Sequence, residues 1–348
     1  MNILGIISSL YDPASRFRII QYKKLFETAN HRLIYKESQI PRSAEAPYWA
    51  KYIRSLTSIN EYRTWDIFKQ FCSSVYLLQQ FTNDIIWQNR LIIPHHSFIE
   101  RNFRKPLVFD IDDAVWITEG EKSLQKALQK ATMVFAGNEY LAEYVQQHNK
   151  NVHVIPTAVN TEIMKPLQRE INKFTIGWIG SSSNFQYLEL IKTTILDFLR
   201  INPDSRLLIV SSEKPPQFVF DNERIQFRHW LPDCENDLIN EMSVGIMPIT
   251  EDAWSKGKCG FKILQYMACG KPIIATPVGM NKHILNSGDI GFGATTHYEW
   301  INALYNLKND RALYSNFSYN ARNLVKNKFS TNHVFPLILA NFQNILLN

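Results

Sequence analysis

Trp254-Ser-Lys-Gly-Lys-Cys-Gly-Phe-Lys-Ile-Leu-Gln-Tyr-Met-Ala-Cys-Gly-Lys-Pro272, continued by Ile-Ile-Ala-Thr-Pro-Val-Gly279, decides how this chain is read. A polar, glycine-containing loop opens it. Residues 262–269 then read as a helix closed by Gly270. Pro272-Ile-Ile-Ala275 follows as a short apolar strand. A loop that opens a helix presents unpaired backbone N–H groups, and Lys256, Lys258 and Lys262 add positive charge beside them. That is an anion cradle, suited to a diphosphate. Each anion–dipole contact contributes only about 0.3–2 kcal/mol, so the lysines must carry most of the neutralisation. Ordinary exposed lysines would read the same way.

Working outward, short apolar runs alternate with helical stretches. Asn2–Ser8, Asp84–Gln88, Pro106–Asp110, Met133–Ala136 and Val152–Pro156 read as strands of a first parallel sheet. A polar, proline-containing stretch, Lys165–Asn172, reads as a linker. The pattern restarts with Phe174–Gly180, Arg206–Val210, Ile225–Arg228, Ser243–Pro248 and Pro272–Ala275. The fold class is therefore α/β, with two Rossmann-like doubly wound lobes in series: residues 1–165, residues 172–327, and a C-terminal helix over 328–348 expected to pack back on the first lobe. Ligands of such sheets bind at the carboxyl ends of the strands, and the cleft between two lobes is the natural site.

The chain has 348 residues, enough for two lobes with their own cores. At 45% hydrophobic and 20% charged it is neither disordered nor fibrous. Four cysteines without metal or disulfide spacing point to a reducing compartment. No stretch is apolar enough to span a bilayer. Charge is uneven: residues 1–105 hold 15 Lys and Arg against 8 Asp and Glu, which exceeds the whole chain's net +6. Such a surplus suits an anionic membrane, nucleic acid or anionic substrate, or is a solvated basic face.

A second locus is Phe109-Asp-Ile-Asp-Asp113 at the end of an apolar strand. Three close carboxylates repel, so they need a cation, a donor or a proton. Asp-x-Asp can hold a divalent metal, and an apolar strand ending so also resembles the nucleophile motif of haloacid-dehalogenase-type phosphatases. It can equally bind sugar hydroxyls or cap a helix.

The stretch Gln265-Tyr-Met-Ala-Cys-Gly-Lys-Pro-Ile-Ile-Ala275 resembles the donor-binding signature of retaining GT-B glycosyltransferases, glycosyltransferase family four (glycosyl transferases group one). The family carries two glutamates there; this chain has Gly257 and Gln265. It is closest to a branch written Gly-Lys-Cys-Gly-Phe-Lys-x-x-Gln-Tyr-Met-Ala. Further matches run in order along the chain: Ser15-Arg-Phe-Arg18, Trp87-Gln-x-Arg90, Lys105–Trp116, Gly137–Ala142, Val154–Asn160 and Trp178–Ser181.

The resemblance implies roles. Gln265 stands where a glutamate holds the ribose, and Gly257 cannot make the other glutamate's sugar contact. Backbone N–H groups of Gly260 and Phe261, beside Cys259, would meet the phosphates. The Arg–Lys pair common in the family is absent after the first strand of the second lobe, where Gly180, Ser181, Ser182 and Ser183 stand. Lys258 and Lys262 are expected to replace it. Trp230 and Leu231 fall where the family meets the base, and Ser211 lies nearby. In the first lobe Ser15, Arg16, Arg18 and Arg90 are expected at the acceptor, and Asp110, Asp112 and Asp113 are expected to orient the donor sugar or acceptor hydroxyl. His95 and His96 precede a helix and are weaker candidates.

The implied activity is a metal-independent, retaining transfer from a nucleotide-diphospho-sugar to a glycan or lipid-linked glycan, with no cofactor and no nucleic-acid partner. The expected place is the cytoplasm, peripheral on the inner face of the membrane. There Trp49, Tyr52, Ile53 and Leu56, with Arg42, Lys51 and Arg54, form a basic amphipathic stretch that can meet anionic lipid. The rivals are a phosphatase using Asp110 and Asp112 with Ser211 and Asp289, an inactive glycan- or lipid-binding module, and a nucleotide-sugar epimerase.

Overall fold

The structure is a computed structural model, described over residues 1–38, 40, 44–50, 52, 61–168, 173–216 and 223–347. The chain forms two compact units, Met1–Pro156 with Phe335–Asn348, and Thr157–Val334. The first unit thus closes at Pro156, before the polar stretch that reads as a linker.

The first unit holds a parallel six-stranded sheet in the order β2-β1-β3-β4-β5-β6. Its strands are β1 (Asn2–Ile7), β2 (Arg32–Glu37), β3 (Ile85–Asn89), β4 (Leu107–Ile111), β5 (Met133–Ala136) and β6 (Val152–Val154). The order reverses between β1 and β3, which puts the switch point at Ser8 and Arg90. β3, β4 and β5 are buried along their whole length, as expected of strands covered on both faces. The sequence reading missed β2. It is an edge strand whose ends, Arg32, Lys36 and Glu37, are exposed, so it carries no continuous apolar run. The C-terminal part of the last helix belongs to this unit. Phe342 stacks 5.7 Å from Phe135 and meets Trp87 edge-on at 5.2 Å, while Phe335 meets Phe26 at 4.9 Å.

The second unit has the order β12-β11-β10-β7-β8-β9, again all parallel. Its strands are β7 (Phe174–Ile179), β8 (Ser205–Ser211), β9 (Ile225–His229), β10 (Val244–Met247), β11 (Ile273–Ala275) and β12 (Gly291–Gly293). Counted from β7, this is the strand order of the dinucleotide-binding fold, and its switch point lies between β7 and β10. β12 was also missed, because Gly-Phe-Gly carries almost no strand signal.

The helix Phe261–Ala268 is pinned to this sheet by Tyr266. The Tyr266 hydroxyl accepts from the Ile179 backbone N–H at 2.9 Å, at the end of β7. Burial raises the Tyr266 pKa, so the phenol stays neutral. Tyr266→Phe leaves the buried Ile179 N–H without an acceptor. A loss of about 1–3 kcal/mol is expected, read as a lower urea midpoint at unchanged m-value.

Candidate functional site

The switch point of the second unit is where the chemistry collects. β7 ends at Ile179, and Gly180–Asn184 lead into the helix Phe185–Glu189. Opposite, Asp252 caps the short helix Ala253–Gly257: its Oδ1 accepts from the Ser255 N–H at 2.7 Å, and Thr250 Oγ1 donates to its Oδ2. Partial burial works against the charge, yet these bonds hold the Asp252 carboxyl below its ordinary range. Lys258 and Cys259 follow. Gly260 then takes the left-handed conformation, φ 66°, and starts the helix Phe261–Ala268. A Cβ at Gly260 would lie 2.9 Å from the flexible end of Ile284, and the left-handed backbone is what demands glycine here.

Two lysines reach from this loop toward β7. Lys262 folds back over Gly180: a Cβ there would stand 2.8 Å from Lys262 Cε. The Lys262 ammonium lies 5.3 Å from the Trp178 ring centre. The Lys258 ammonium lies 5.3 Å from the Trp254 ring and 5.7 Å from Tyr187, the latter on the helix that follows the serine turn. Aromatic faces hold a cation without neutralising it. Tyr187 is tied back through its hydroxyl to Ser255 Oγ at 3.4 Å. Trp178, Tyr187 and Trp254 were not anticipated as lysine supports. The Asp252-x-x-Ser255 spacing was a legible capping signal.

The remaining second-unit candidates fall around this point. Ser181 Oγ accepts from Asn184 Nδ2 at 2.6 Å and shares a bond with Ser183 Oγ at 3.0 Å; Ser182 lies between them. Gln265 is 3% exposed and its Nε2 has no hydrogen-bond partner among the described residues. Ser211 Oγ at the end of β8 is likewise buried without a partner. Buried polar groups are rarely left so in a finished structure, and a ligand's oxygens are one way to satisfy them. Trp230 hydrogen-bonds through its backbone N–H to Ser211 O at 2.8 Å, and its indole donates to Glu235 at 2.8 Å. Leu231 beside it is exposed. Gly257 and Cys259 are buried in the loop itself.

The first-unit candidates turn out differently. Asp110 is fully buried. Arg18 grips it with Nε to Oδ1 at 2.8 Å and Nη2 to Oδ2 at 3.3 Å, while Arg18 Nη1 donates to Ile155 O at 2.7 Å. Trp87 Nε1 adds a bond to Oδ2 at 3.2 Å. The expectation that Asp110 and Arg18 touch sugar or acceptor is corrected: they form an interior ion pair. An in-line phosphatase nucleophile is excluded for Asp110 by the same enclosure. Ser15 is buried too, donating to Asp12 Oδ2 at 3.0 Å and accepting from Ser8 N–H.

Arg90 sits just past β3 with φ 60°, an uncommon backbone for an arginine. Its Nε donates to Asp112 at 2.8 Å and its Nη2 to Asp113 at 2.6 Å. Burial opposes the charge, but Arg90 holds the Asp112 carboxyl below its usual range, and the two aspartates hold Arg90 charged. Each of the three carboxylates thus already meets a guanidinium, with Asp112 and Asp113 sharing that of Arg90. Arg16 is half-buried, its guanidinium 4.7 Å from the Phe17 ring. His96 bonds Asp66 at 2.9 Å, and His95 takes φ 66°. Trp49 packs on Trp65 and Phe68; Arg42, Lys51, Ile53, Arg54 and Leu56 lie outside the described residues.

With this geometry in place, residues 173–310 match the family model described as Glycosyl transferases group 1. The matched stretch lies within the second unit. A probable sucrose-phosphate synthase of Thermosipho melanesiensis is 28% identical over 200 residues, covering 53% of this chain and 46% of that protein. The chain thus spans about half the length of the curated relative it matches. Among solved structures, sucrose-phosphate synthase from Thermosynechococcus elongatus superposes with a TM-score of 0.74 at 14% identity, covering 100% of each chain. HepE of Anabaena in complex with UDP and glucose gives 0.69 at 14% identity, over 98% of this chain and 99% of that one. These likenesses establish the GT-B fold, two Rossmann-like units.

Proposed function

We propose that this chain is a retaining glycosyltransferase that takes a sugar from a nucleotide-diphospho-sugar and passes it to a glycan or lipid-linked glycan. The observation that carries the reading is Lys262, rooted at the left-handed Gly260 helix start and laid over Gly180 at the switch point. The N–H groups of Gly260 and Phe261 receive the diphosphate, and Lys258 and Lys262 neutralise it. Gln265 and Ser211, with buried unpartnered polar atoms, take nucleoside or sugar hydroxyls. Trp230 and Leu231 lie toward the base. HepE, of like fold, binds UDP and glucose, which supports a nucleotide-sugar as donor.

In the transfer, the bond from the anomeric carbon to the phosphate oxygen breaks. The new bond to the acceptor oxygen forms on the same face. The acceptor proton passes to the departing phosphate oxygen, so no strong protein base is needed. The protein supplies orientation and fixed positive charge. The first unit takes the acceptor through Arg16 and the Arg90–Asp112–Asp113 cluster, which Asp110 and Arg18 hold in place from beneath. Needing neither cofactor nor metal, the enzyme is expected to keep full turnover in excess EDTA. Proton NMR of the product should show the donor's anomeric configuration. Turnover that vanishes with chelation and returns with magnesium or manganese, or an inverted anomer, would contradict this reading.

A further inference from the structure

The helices Glu61–Ser73 and Val75–Gln79 follow one path, because Ser74 between them keeps helical angles, φ −61° and ψ −17°. Gln80–Thr82 continue as a 3₁₀ turn. At about 100° per residue, Ile67, Phe71, Leu78 and Phe81 fall within roughly 40° of a common direction. They are 55%, 77%, 71% and 58% exposed. The opposite direction holds Trp65, Tyr76 and Gln80, which are buried. This ridge is therefore apolar on its inner side, as any packed helix is, and apolar again on its outer side.

Cations rim the outer stripe. Arg63 lies one turn before Ile67 on the same face. Gln80 Oε1 accepts from the backbone N–H groups of Arg104 and Lys105 at 2.5 and 3.1 Å, which fixes that basic segment beside Phe81. Arg101 ends the short helix Phe98–Arg101, whose leading loop is tied to the ridge by His96 and Asp66 at 2.9 Å. Arg63, Arg101 and Arg104 are exposed and make no ion pair among the described residues. The nearby acids are engaged elsewhere: Asp66 with His96 and Lys69, Asp84 with the Asn2 N–H, and buried Glu100 with Gln88.

We infer that this ridge is a membrane-docking surface, in which Ile67, Phe71, Leu78 and Phe81 enter the headgroup layer of an anionic bilayer and Arg63, Arg101 and Arg104 meet its phosphates. Apolar side chains flanked by unpaired cations are what such an interface selects. A second copy is the poorer occupant, since two-fold pairing would bring the same arginines together. No described helix is long and apolar enough to cross a membrane, so the contact is peripheral. The surface deepens the lipid-linked acceptor reading above, but its test needs neither donor nor turnover.

The test is co-sedimentation of the whole chain with vesicles of phosphatidylcholine alone or with phosphatidylglycerol. Binding is expected only with phosphatidylglycerol, and it should weaken as salt rises. Phe71→Ser with Leu78→Ser, and separately Arg101→Glu with Arg104→Glu, should each lower the partition coefficient about tenfold or more, with thermal melts unchanged. Equal recovery in the supernatant with both lipids would overturn the inference. So would wild-type pelleting by both variants, or a dimer in sedimentation velocity that Phe71→Ser with Leu78→Ser abolishes. A chain that binds vesicles without sugar transfer would overturn the transferase reading alone.

Discussion

The Lys258→Ala, Lys262→Ala double variant should lose about 10²–10³-fold in kcat/KM for consumption of the nucleotide-sugar, with its fold intact. The leaving diphosphate gains charge as the glycosidic bond breaks, and the two ammonium groups bring positive charge to the β7 switch point. Backbone N–H groups at one helix start cannot replace them, at about 0.3–2 kcal/mol per contact. Neither lysine belongs to the second unit's core. Steady-state rates on wild type and both single variants, beside matching circular dichroism melts, are the measurement. Near-wild-type rates in a folded double variant would remove the lysines from the mechanism.

The second large effect is on stability. Arg18→Ala should destabilise the first unit by about 3–5 kcal/mol, because it leaves the Asp110 carboxylate buried with no counter-charge. The variant also removes the bond from Arg18 Nη1 to Ile155 O, which ties the helix Pro13–Arg18 to the residue after β6. Arg18→Met combined with Asp110→Leu should recover most of the loss, since no charge is then buried. Urea unfolding followed through Trp87, which hydrogen-bonds Asp110, reads this directly. Unchanged stability in Arg18→Ala with abolished turnover would mean that the pair acts on substrate and not on the fold.

These two predictions mark what was legible in the chain. The phosphate cradle is local: Lys258, Gly260, Lys262 and Gln265 fall within one loop and helix, so spacing alone placed them together. Where Lys262 reaches was not legible, because Gly180 lies far back in sequence and only the sheet order brings it close. The partners of the aspartates were hidden for the same reason. Asp110, Asp112 and Asp113 look alike in sequence, and their partners Arg18 and Arg90 belong to other β-α units. Most strands were readable because both their faces are buried. β2 and β12 were not, since edge strands need no such run. The exposed apolar ridge follows the same rule: the aromatic stretch around Trp49 stands out by composition, but exposure singles out the next helix.

Binding of a nucleoside diphosphate to the second unit at this cradle is the property to measure. Thermal melts of wild type and the Lys258→Ala, Lys262→Ala variant should be compared with UDP, GDP and ADP at rising concentration. One of the three should raise the wild-type midpoint progressively, by about 2.7 kcal/mol of stability at a hundredfold excess over Kd. The double variant should show little or no rise. A midpoint that no diphosphate moves, or one raised equally in wild type and variant, would contradict the assignment of this site.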